Sequence, residues 1–149
     1  MADMAGDTDK LLRFRDDEAH DEPAVTLDSF VAGQTNAGAV RLEAGDDARQ
    51  LLGRLDRVAL VEVSFPTFRD GRGYSAARIL REAGYAGELR AAGDVLVDQI
   101  PFMRRCGFDS FAPEAPVDPA ALDRALARYD HHYQRAADAA VPVWKLRHG

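Results

Sequence analysis

The sequence predicts an α/β protein with about four strand–helix units that form a small parallel sheet, either half-barrel-like or an open three-layer sheet. Short apolar runs of strand length alternate along the chain with amphipathic stretches of helix length. This alternation is typical of parallel strands with helices packed against them. The clearest strand is residues 58–65, which is apolar at nearly every position, as expected of a strand covered on both faces.

The remaining elements follow from periodicity and from residues that start or stop helices. Gly84 and Gly107 stand where helices end, and Pro101 interrupts a helical pattern. Asp118 and Pro119 have the N-cap and first-position preferences of a helix start. The predicted strands are residues 39–42, 58–65, 88–92 and 108–112, and the predicted helices are residues 46–55, 73–83, 94–106 and 119–138, preceded by a short helix or turn at 26–32.

Length and composition limit the classes of protein. With 149 residues and 46% hydrophobic content, the chain can build one core. No apolar run approaches the roughly 18–20 residues of a membrane span, and the N-terminus lacks a secretory signal pattern. We therefore expect a cytoplasmic protein that does not bind membranes. A lone Cys106, expected to be a packing residue, excludes an internal disulfide and any all-cysteine metal site. The adjacent His131 and His132 lack metal-ligand spacing, so we expect no metal.

The net charge of −6 is concentrated at the N-terminus. Residues 1–30 contain nine acidic and three basic residues, whereas the remainder contains sixteen of each. We predict that residues 1–33 form an acidic, partly flexible leader and that residues 34–149 form a single α/β domain. A domain of balanced charge lacks the basic face of a nucleic-acid-binding protein, so no nucleic-acid partner is expected.

Polar and charged residues follow the predicted strands where those strands end. Because crossovers between parallel strands are right-handed, the carboxyl ends of the strands share one edge of the sheet. Glycine N–H groups at a helix start, with arginines nearby, favour phosphate, sulfate or carboxylate groups. The strand-end loop (residues 65–75) and its neighbour therefore form a candidate anion- or partner-binding site, with catalytic residues unknown. Its predicted members are Phe68, Arg69, Asp70, Gly71, Arg72, Gly73, Tyr74, Ser75, Arg78, Asp94, Asp98 and Gln99.

Two of these motifs have more than one interpretation. Gly71, Gly73 and Ala76 match the relaxed G-x-G-x-x-A dinucleotide fingerprint, but five residues separate Phe65 from the first glycine. We favour glycines that allow a tight loop and close helix packing, and we expect no cofactor. Asp94 is interpreted first as the N-cap of the third helix, and alternatively as a general base or as a group that orients the arginines.

The other acidic residues at this edge also allow two interpretations. Asp98, one turn further along, could face the strand-end loop. Asp70 and Glu82 could instead pair with the arginines and leave no vacancy for a ligand.

The densest motifs, between residues 58 and 111, resemble a known bacterial family. They include the strand-end loop, Gly84-Tyr85, Gly87-Glu88, Gly93-Asp94 and Gly107-Phe108-Asp109. The family is the bacterial domain of unknown function 934, sometimes labelled as an oxidoreductase of sulfite reduction. The resemblance implies a role in sulfate assimilation, because members are typically encoded beside sulfite or nitrite reductase genes. The residues show no flavin, haem, iron–sulfur or convincing nicotinamide site to support the oxidoreductase label.

The leading hypothesis is an accessory protein of assimilatory sulfite reduction. It would bind a sulfite or nitrite reductase, its electron donor, or an anionic ligand through the strand-end loop. Apolar contact would come from Phe65, Phe68 and Tyr74, and charge from Arg69, Arg72 and Arg78.

Two alternatives stay open. The first is a small enzyme acting on an anionic sulfur- or phosphate-containing compound, with Arg72 and Arg78 holding the anion and Asp70, Asp98 or Tyr74 handling the proton. The second is a homodimer that completes a half-barrel sheet.

Overall fold

The computed structural model describes residues 11–20, 22–33 and 37–128, together with the backbone of residues 145–146. Within these residues, seven strands form one sheet, and helices and 3₁₀ turns connect them. The strands are β1 (Leu12–Arg13), β2 (Val25–Thr26), β3 (Ala39–Leu42), β4 (Leu60–Phe65), β5 (Glu88–Gly93), β6 (Ser110–Pro113) and β7 (Lys145–Leu146). The helices are α1 (Leu27–Val31), α2 (Arg72–Glu82), α3 (Ile100–Cys106) and α4 (Pro119–Arg128), and the 3₁₀ turns are Ala48–Leu51, Leu55–Arg57 and Val97–Gln99.

The strand order places sequential strands side by side. The described sheet runs β2-β3-β4-β5-β6-β1-β7; the first five strands are parallel, and β1 is antiparallel to both β6 and β7. Because the parallel order never reverses, right-handed crossovers put the connecting helices on one face. The structure thus confirms an α/β protein with a mostly parallel sheet, in two layers rather than three. The described sheet also contains β1, β2 and β7, which were not predicted. Each is only two residues long and therefore shows no periodic pattern in the sequence.

The core lies between the helices and one face of the sheet. Along β4, Val61, Val63 and Phe65 are buried on the helix side. Each helix contributes a narrow apolar stripe to the same core, as an amphipathic helix on a sheet should. The buried helical residues are Ala76, Ala77 and Leu80 of α2, Ile100 and Met103 of α3, and Leu122 and Ala125 of α4. This packing fixes the first turns of α2 and α3 beside the carboxyl ends of the strands.

The opposite face of the sheet carries charged pairs. The strand register places Arg41, Glu62, Arg90 and Ser110 in one row across β3 to β6. Arg41 Nε donates to Glu62 Oε1 at 3.1 Å. The sequence predicts that residues 58–65 are covered on both faces, but Glu62 and Ser64 are only partly buried, because the apolar core lies on the helix side of the sheet.

Ion pairs attach the N-terminal strand to the amino end of the sheet. Arg13 Nη2 lies 2.9 Å from Glu88 Oε1, and both residues are buried. Arg15 Nη1 lies 2.7 Å from Asp109 Oδ2. The ring of Phe14 packs edge-on against a core aromatic ring, so residues 11–15 are held by charge and by apolar contact. The division of the chain at residue 33 stays a prediction.

Arg81 ties three parts of the fold together at this same end of the sheet. Its Nη1 donates to the carbonyls of Tyr85 and Gly87 at 2.8 Å, and its Nε donates to Gly107 O at 3.0 Å. Gly107 has φ of 119°, and a Cβ there would lie 2.7 Å from Arg81 Cγ. Several motif residues therefore have a structural role. We call Arg13, Arg15, Arg81, Glu88 and Asp109 the amino-end network.

Two predicted helices differ from the observed structure. Two 3₁₀ turns, Ala48–Leu51 and Leu55–Arg57, stand in place of the helix predicted at residues 46–55, and Leu52 is exposed. The helix predicted at 94–106 begins with a 3₁₀ turn and becomes α-helical only at Ile100, because Pro101 lacks an N–H and fits the first turn. The predicted continuation of the last helix to residue 138, with His131 and His132, lies outside the described residues.

Glu88→Gln should destabilise the protein near neutral pH and weaken the acid dependence of its stability. Burial opposes ionisation of Glu88, but hydrogen bonds from Arg13 and Ser110, with the charge of Arg90, hold its pKa below the ordinary value. A depressed carboxyl pKa contributes stability above the unfolded-state pKa, and this contribution is lost as pH falls through the folded-state pKa. We expect a loss of about 3 kcal/mol near pH 7, measured by urea unfolding.

The same titration should show a smaller fall in the variant's free energy of unfolding between about pH 5 and pH 3. Glu43→Gln is the matched control, because Glu43 is exposed and its carboxylate forms no ion pair with the described residues. This control should change stability by less than about 0.5 kcal/mol. Parallel pH profiles for Glu88→Gln and the unmodified chain would contradict the interpretation.

Candidate functional site

The strand-end loop is held in place by the next loop along the edge. Phe68 N donates to Asp94 Oδ2 at 2.8 Å, and Gln99 Nε2 donates to Phe68 O at 2.9 Å. Asp94 N also donates to Phe65 O at 2.9 Å. Both backbone polar groups of Phe68 are thus satisfied, which fixes a loop that otherwise has no regular structure.

The predicted capping role of Asp94 is wrong. Its carboxylate accepts from the neighbouring loop, and α3 begins only at Ile100, six residues further on. Gln99 supplies the contact at the start of this segment, where its Oε1 accepts from Leu96 N at 3.2 Å. Asp94 therefore orients the strand-end loop. This role is closer to the alternative in which it positions the arginine-bearing segment.

Of the two glycines of the apparent dinucleotide fingerprint, only Gly73 is required for packing. A Cβ on Gly73 would lie 2.4 Å from the Phe65 ring, so only glycine fits at this point of α2. Gly71 has φ of −77°, and a Cβ there would meet no described atom within 4 Å. Gly93 has φ of 104°, and its Cβ would crowd Phe65 O at 2.5 Å. The close approaches are all to Phe65, and Gly73 is itself buried.

The three predicted arginines have different surroundings. Arg72 is bonded to Asp70, with Nε–Oδ1 of 3.0 Å and Nη2–Oδ2 of 2.8 Å, and these bonds lower the pKa of Asp70. Arg69 is exposed, its guanidinium lies 5.3 Å from the centroid of the Phe68 ring, and it has no carboxylate partner in the described structure. Arg78 is exposed on α2 and, within the same residues, is also without an ion pair.

Two shallow depressions flank Arg72 and Ser75. One, of about 390 Å³, also involves the turn after β3, from Gly45 to Arg49, and the other, of about 630 Å³, is lined by the strand-end loop. Each contains acidic as well as basic side chains, since Asp46 and Asp47 line the first and Asp70 the second. Neither is strongly positive. The turn after β3 is missing from the predicted site, although its position after a strand could have indicated it.

An aromatic surface adjoins the loop. Tyr74 packs against Phe65, Phe102 and Phe108, with ring centroids 5.5, 5.4 and 6.5 Å away. Burial raises the pKa of Tyr74, and the nearby Cys106 raises it further, so Tyr74 is a poor proton donor or acceptor near neutral pH. Phe65 is 1% exposed and cannot contact a partner, which corrects the predicted apolar set.

Phe102 and Leu96 are exposed apolar residues that are open to contact with a partner, unlike Phe65. They are 48% and 41% exposed. Phe102 is absent from the predicted site, because the helix predicted at residues 94–106 was not divided into a buried and an exposed side. The available signal was its position between Ile100 and Met103, which occupy the buried stripe of α3.

Asp98 and Cys106 lie outside the loop. Asp98 is 79% exposed in its side chain and contacts Arg128 of α4 at 3.3 Å, so it does not face the strand-end loop. Cys106 is half-buried, and burial raises the pKa of its thiol even though Arg78 and Arg105 act in the opposite direction. A reactive thiolate is therefore disfavoured at this position.

Among the described side chains, no group of three or more His, Cys, Asp or Glu residues could hold a metal ion. In the part of the chain covered by the structure, no helix has both the length and the apolar character that a bilayer span requires.

The fold and the site define a two-layer α/β protein with an arginine- and aromatic-bearing surface at the carboxyl ends of its parallel strands. The chain belongs to a family of bacterial proteins of unknown function (DUF934), whose model matches residues 39–144. This match confirms the family resemblance. No curated protein and no solved structure matches the chain.

Gly73→Ala should destabilise the protein by about 2 kcal/mol, because overpacking against the Phe65 ring outweighs a helix-propensity gain of about 1 kcal/mol. Gly71→Ala, two residues earlier, where a Cβ would meet no described atom, should stabilise it by about 0.5 kcal/mol. Chemical denaturation of the two variants measures both effects. Equal free energies of unfolding for the two would argue against packing as the reason for Gly73.

Proposed function

We propose that the chain is an accessory protein of assimilatory sulfite reduction, which binds an acidic surface of a reductase or its electron donor through the strand-end loop. The observation that carries this proposal is Arg69. It is exposed, stacked on Phe68 and without a carboxylate partner in the described structure. Asp94 and Gln99 hold the strand-end loop in place through hydrogen bonds to the backbone of Phe68.

A pre-positioned arginine favours binding for two reasons. A guanidinium already stacked on an aromatic ring loses less conformational freedom when a partner arrives. Arginine and aromatic residues also supply much of the binding energy at protein interfaces. Arg69 and Phe68 combine both properties at the same point of the loop.

The process assignment rests on the family resemblance. Members of that family are typically encoded beside sulfite or nitrite reductase genes, which makes these reductases and their electron donors the first partners to test. The proposal requires no bound cofactor in this chain.

The alternative of a small enzyme requires Arg72 and Arg78 to hold one anion together. They are six residues apart on α2, which places them about 120° apart around the helix. Arg72 lies against the turn after β3 and is bonded to Asp70, whereas Arg78 acts on Cys106 beside α3. Binding of a protein surface therefore has more support than catalysis.

Arg69→Ala should weaken binding to the partner at least tenfold, equivalent to about 1.4 kcal/mol, with little change in melting temperature. The measurement is calorimetric titration of the full chain with the purified sulfite reductase, and separately with its electron donor. Arg124→Ala is the control, because Arg124 is an exposed arginine of α4 that does not belong to the strand-end loop. Equal affinity of Arg69→Ala and the unmodified chain for each component would remove the loop as the binding surface.

A deletion strain should fail to grow, or grow slowly, on sulfate or sulfite as sole sulfur source and should recover on sulfide or cysteine. This pattern is expected because sulfide is the product of sulfite reduction. Complementation by the unmodified gene and by Arg124→Ala should restore growth, whereas Arg69→Ala should not. Normal growth of the deletion strain on every sulfur source would contradict the assignment to sulfite reduction.

A further inference from the structure

The neighbouring sides of α2 and α3 form a second exposed surface. Tyr74 and Arg78 are four residues apart on α2, and Phe102 is followed by Arg105 and Cys106 at the three- and four-residue spacings that share a helix face. The rings of Tyr74 and Phe102 are in contact across the two helices, 5.4 Å apart. We call these five residues the α2–α3 face.

This face has a rigid apolar centre. Phe102 is nearly half exposed, although it sits in the first turn of a well-packed helix. Its neighbour Tyr74 is supported from below by Phe65 and Phe108, both buried. An aromatic side chain held in place but left open to solvent is characteristic of an interface anchor.

Two cations flank the apolar centre. Arg78 and Arg105 are exposed, and neither has a carboxylate partner among the residues that the structure describes. Both charges act to lower the pKa of the Cys106 thiol, against the larger effect of burial, so both lie near that residue of the face. Eight of the described arginines are paired with aspartate or glutamate, whereas these two present unmatched positive charge beside an apolar platform.

The α2–α3 face is continuous with the strand-end loop. Gln99 donates to the carbonyl of Phe68 in the loop, and Phe102 follows Gln99 by one helical turn. Tyr74 lies in the first turn of α2, which begins directly after the loop. One partner could therefore contact Arg69 and Phe102 at the same time.

We propose that the α2–α3 face binds a segment of the partner protein that carries an apolar side chain between carboxylates. The apolar side chain packs on Phe102 and Tyr74, and the carboxylates pair with Arg78 and Arg105. This inference rests on the proposed function, since it assigns the chemistry of the same partner. Charge complementarity and the exposed aromatic anchor select an acidic protein segment.

The test is photo-crosslinking from position 102 in the full chain, produced in its native bacterium. Phe102 is replaced by benzoyl-phenylalanine, and Leu52, which is 39% exposed elsewhere on the domain, is replaced in the control. Mass spectrometry should find position 102 joined to a partner segment with net negative charge. The product should disappear in the Arg78→Glu/Arg105→Glu background and persist in the Arg124→Glu background.

Several outcomes would overturn the inference. They are crosslinking to a neutral or basic segment, to a second copy of this chain or to its own acidic residues 1–10, absence of a product, or a product that survives the double charge reversal. All the substituted side chains are exposed, so melting temperatures should match that of the unmodified chain and exclude misfolding.

Calorimetric titration with the purified reductase components separates this inference from the proposed function. Phe102→Ala should weaken binding at least tenfold, and Leu52→Ala should leave it unchanged. If Arg69→Ala weakens binding but Phe102→Ala and Arg78→Glu/Arg105→Glu do not, the inference fails and the proposed function stands. If no variant alters binding to either component, both fail.

Discussion

The position of Phe65 is the constraint on which the structure at the carboxyl ends of the strands depends. Its ring fills the space beneath α2, where only Gly73 fits, and its carbonyl accepts from Asp94 at the turn after β5. The same residue therefore sets how closely α2 approaches the sheet and where the next loop begins. Because Phe65 also supports Tyr74, the aromatic platform and the strand-end loop share one buried foundation. Phe65 itself is buried, so only the residues around it are open to contact with a partner.

Charged residues have different surroundings at the two ends of the sheet. At the amino end, the amino-end network buries charges in ion pairs and carbonyl contacts, as in the bond from Arg13 to Glu88. Buried pairs of this kind are costly to break, so substitutions there should act through stability. At the carboxyl end, Arg69 is exposed and has no ion pair in the described structure. The motifs that carry the family resemblance contribute to both ends, so a dense motif does not by itself mark a binding site.

The parts of the fold that could be predicted are those with local causes. Strand β4 and helix α2 follow from apolar periodicity over six to eleven residues, and α4 from Asp118 and Pro119. Strand β1 could not be predicted, because two residues carry no period and its place depends on Arg13 meeting Glu88, 75 positions away. The role of Asp94 was missed for the same reason. Its carboxylate accepts from the backbone N–H of Phe68, which lies 26 residues earlier in the chain. No neighbouring residue in the sequence argues against the simpler capping interpretation.

The candidate site shows what the pattern of residue types leaves undetermined. Arg69 and Arg72 stand three residues apart in one polar loop, and sequence treats them alike. In the structure Asp70 is aligned with Arg72, where it also accepts from the backbone N–H of that residue, and Arg69 turns instead onto Phe68. A paired arginine must give up its carboxylate before it can bind another, whereas a stacked arginine keeps its donors available. We therefore propose that the binding surface lies towards Phe68 and Phe102 rather than the glycine-rich half of the strand-end loop, because Arg69 has no ion pair in the described structure and Phe102 is exposed.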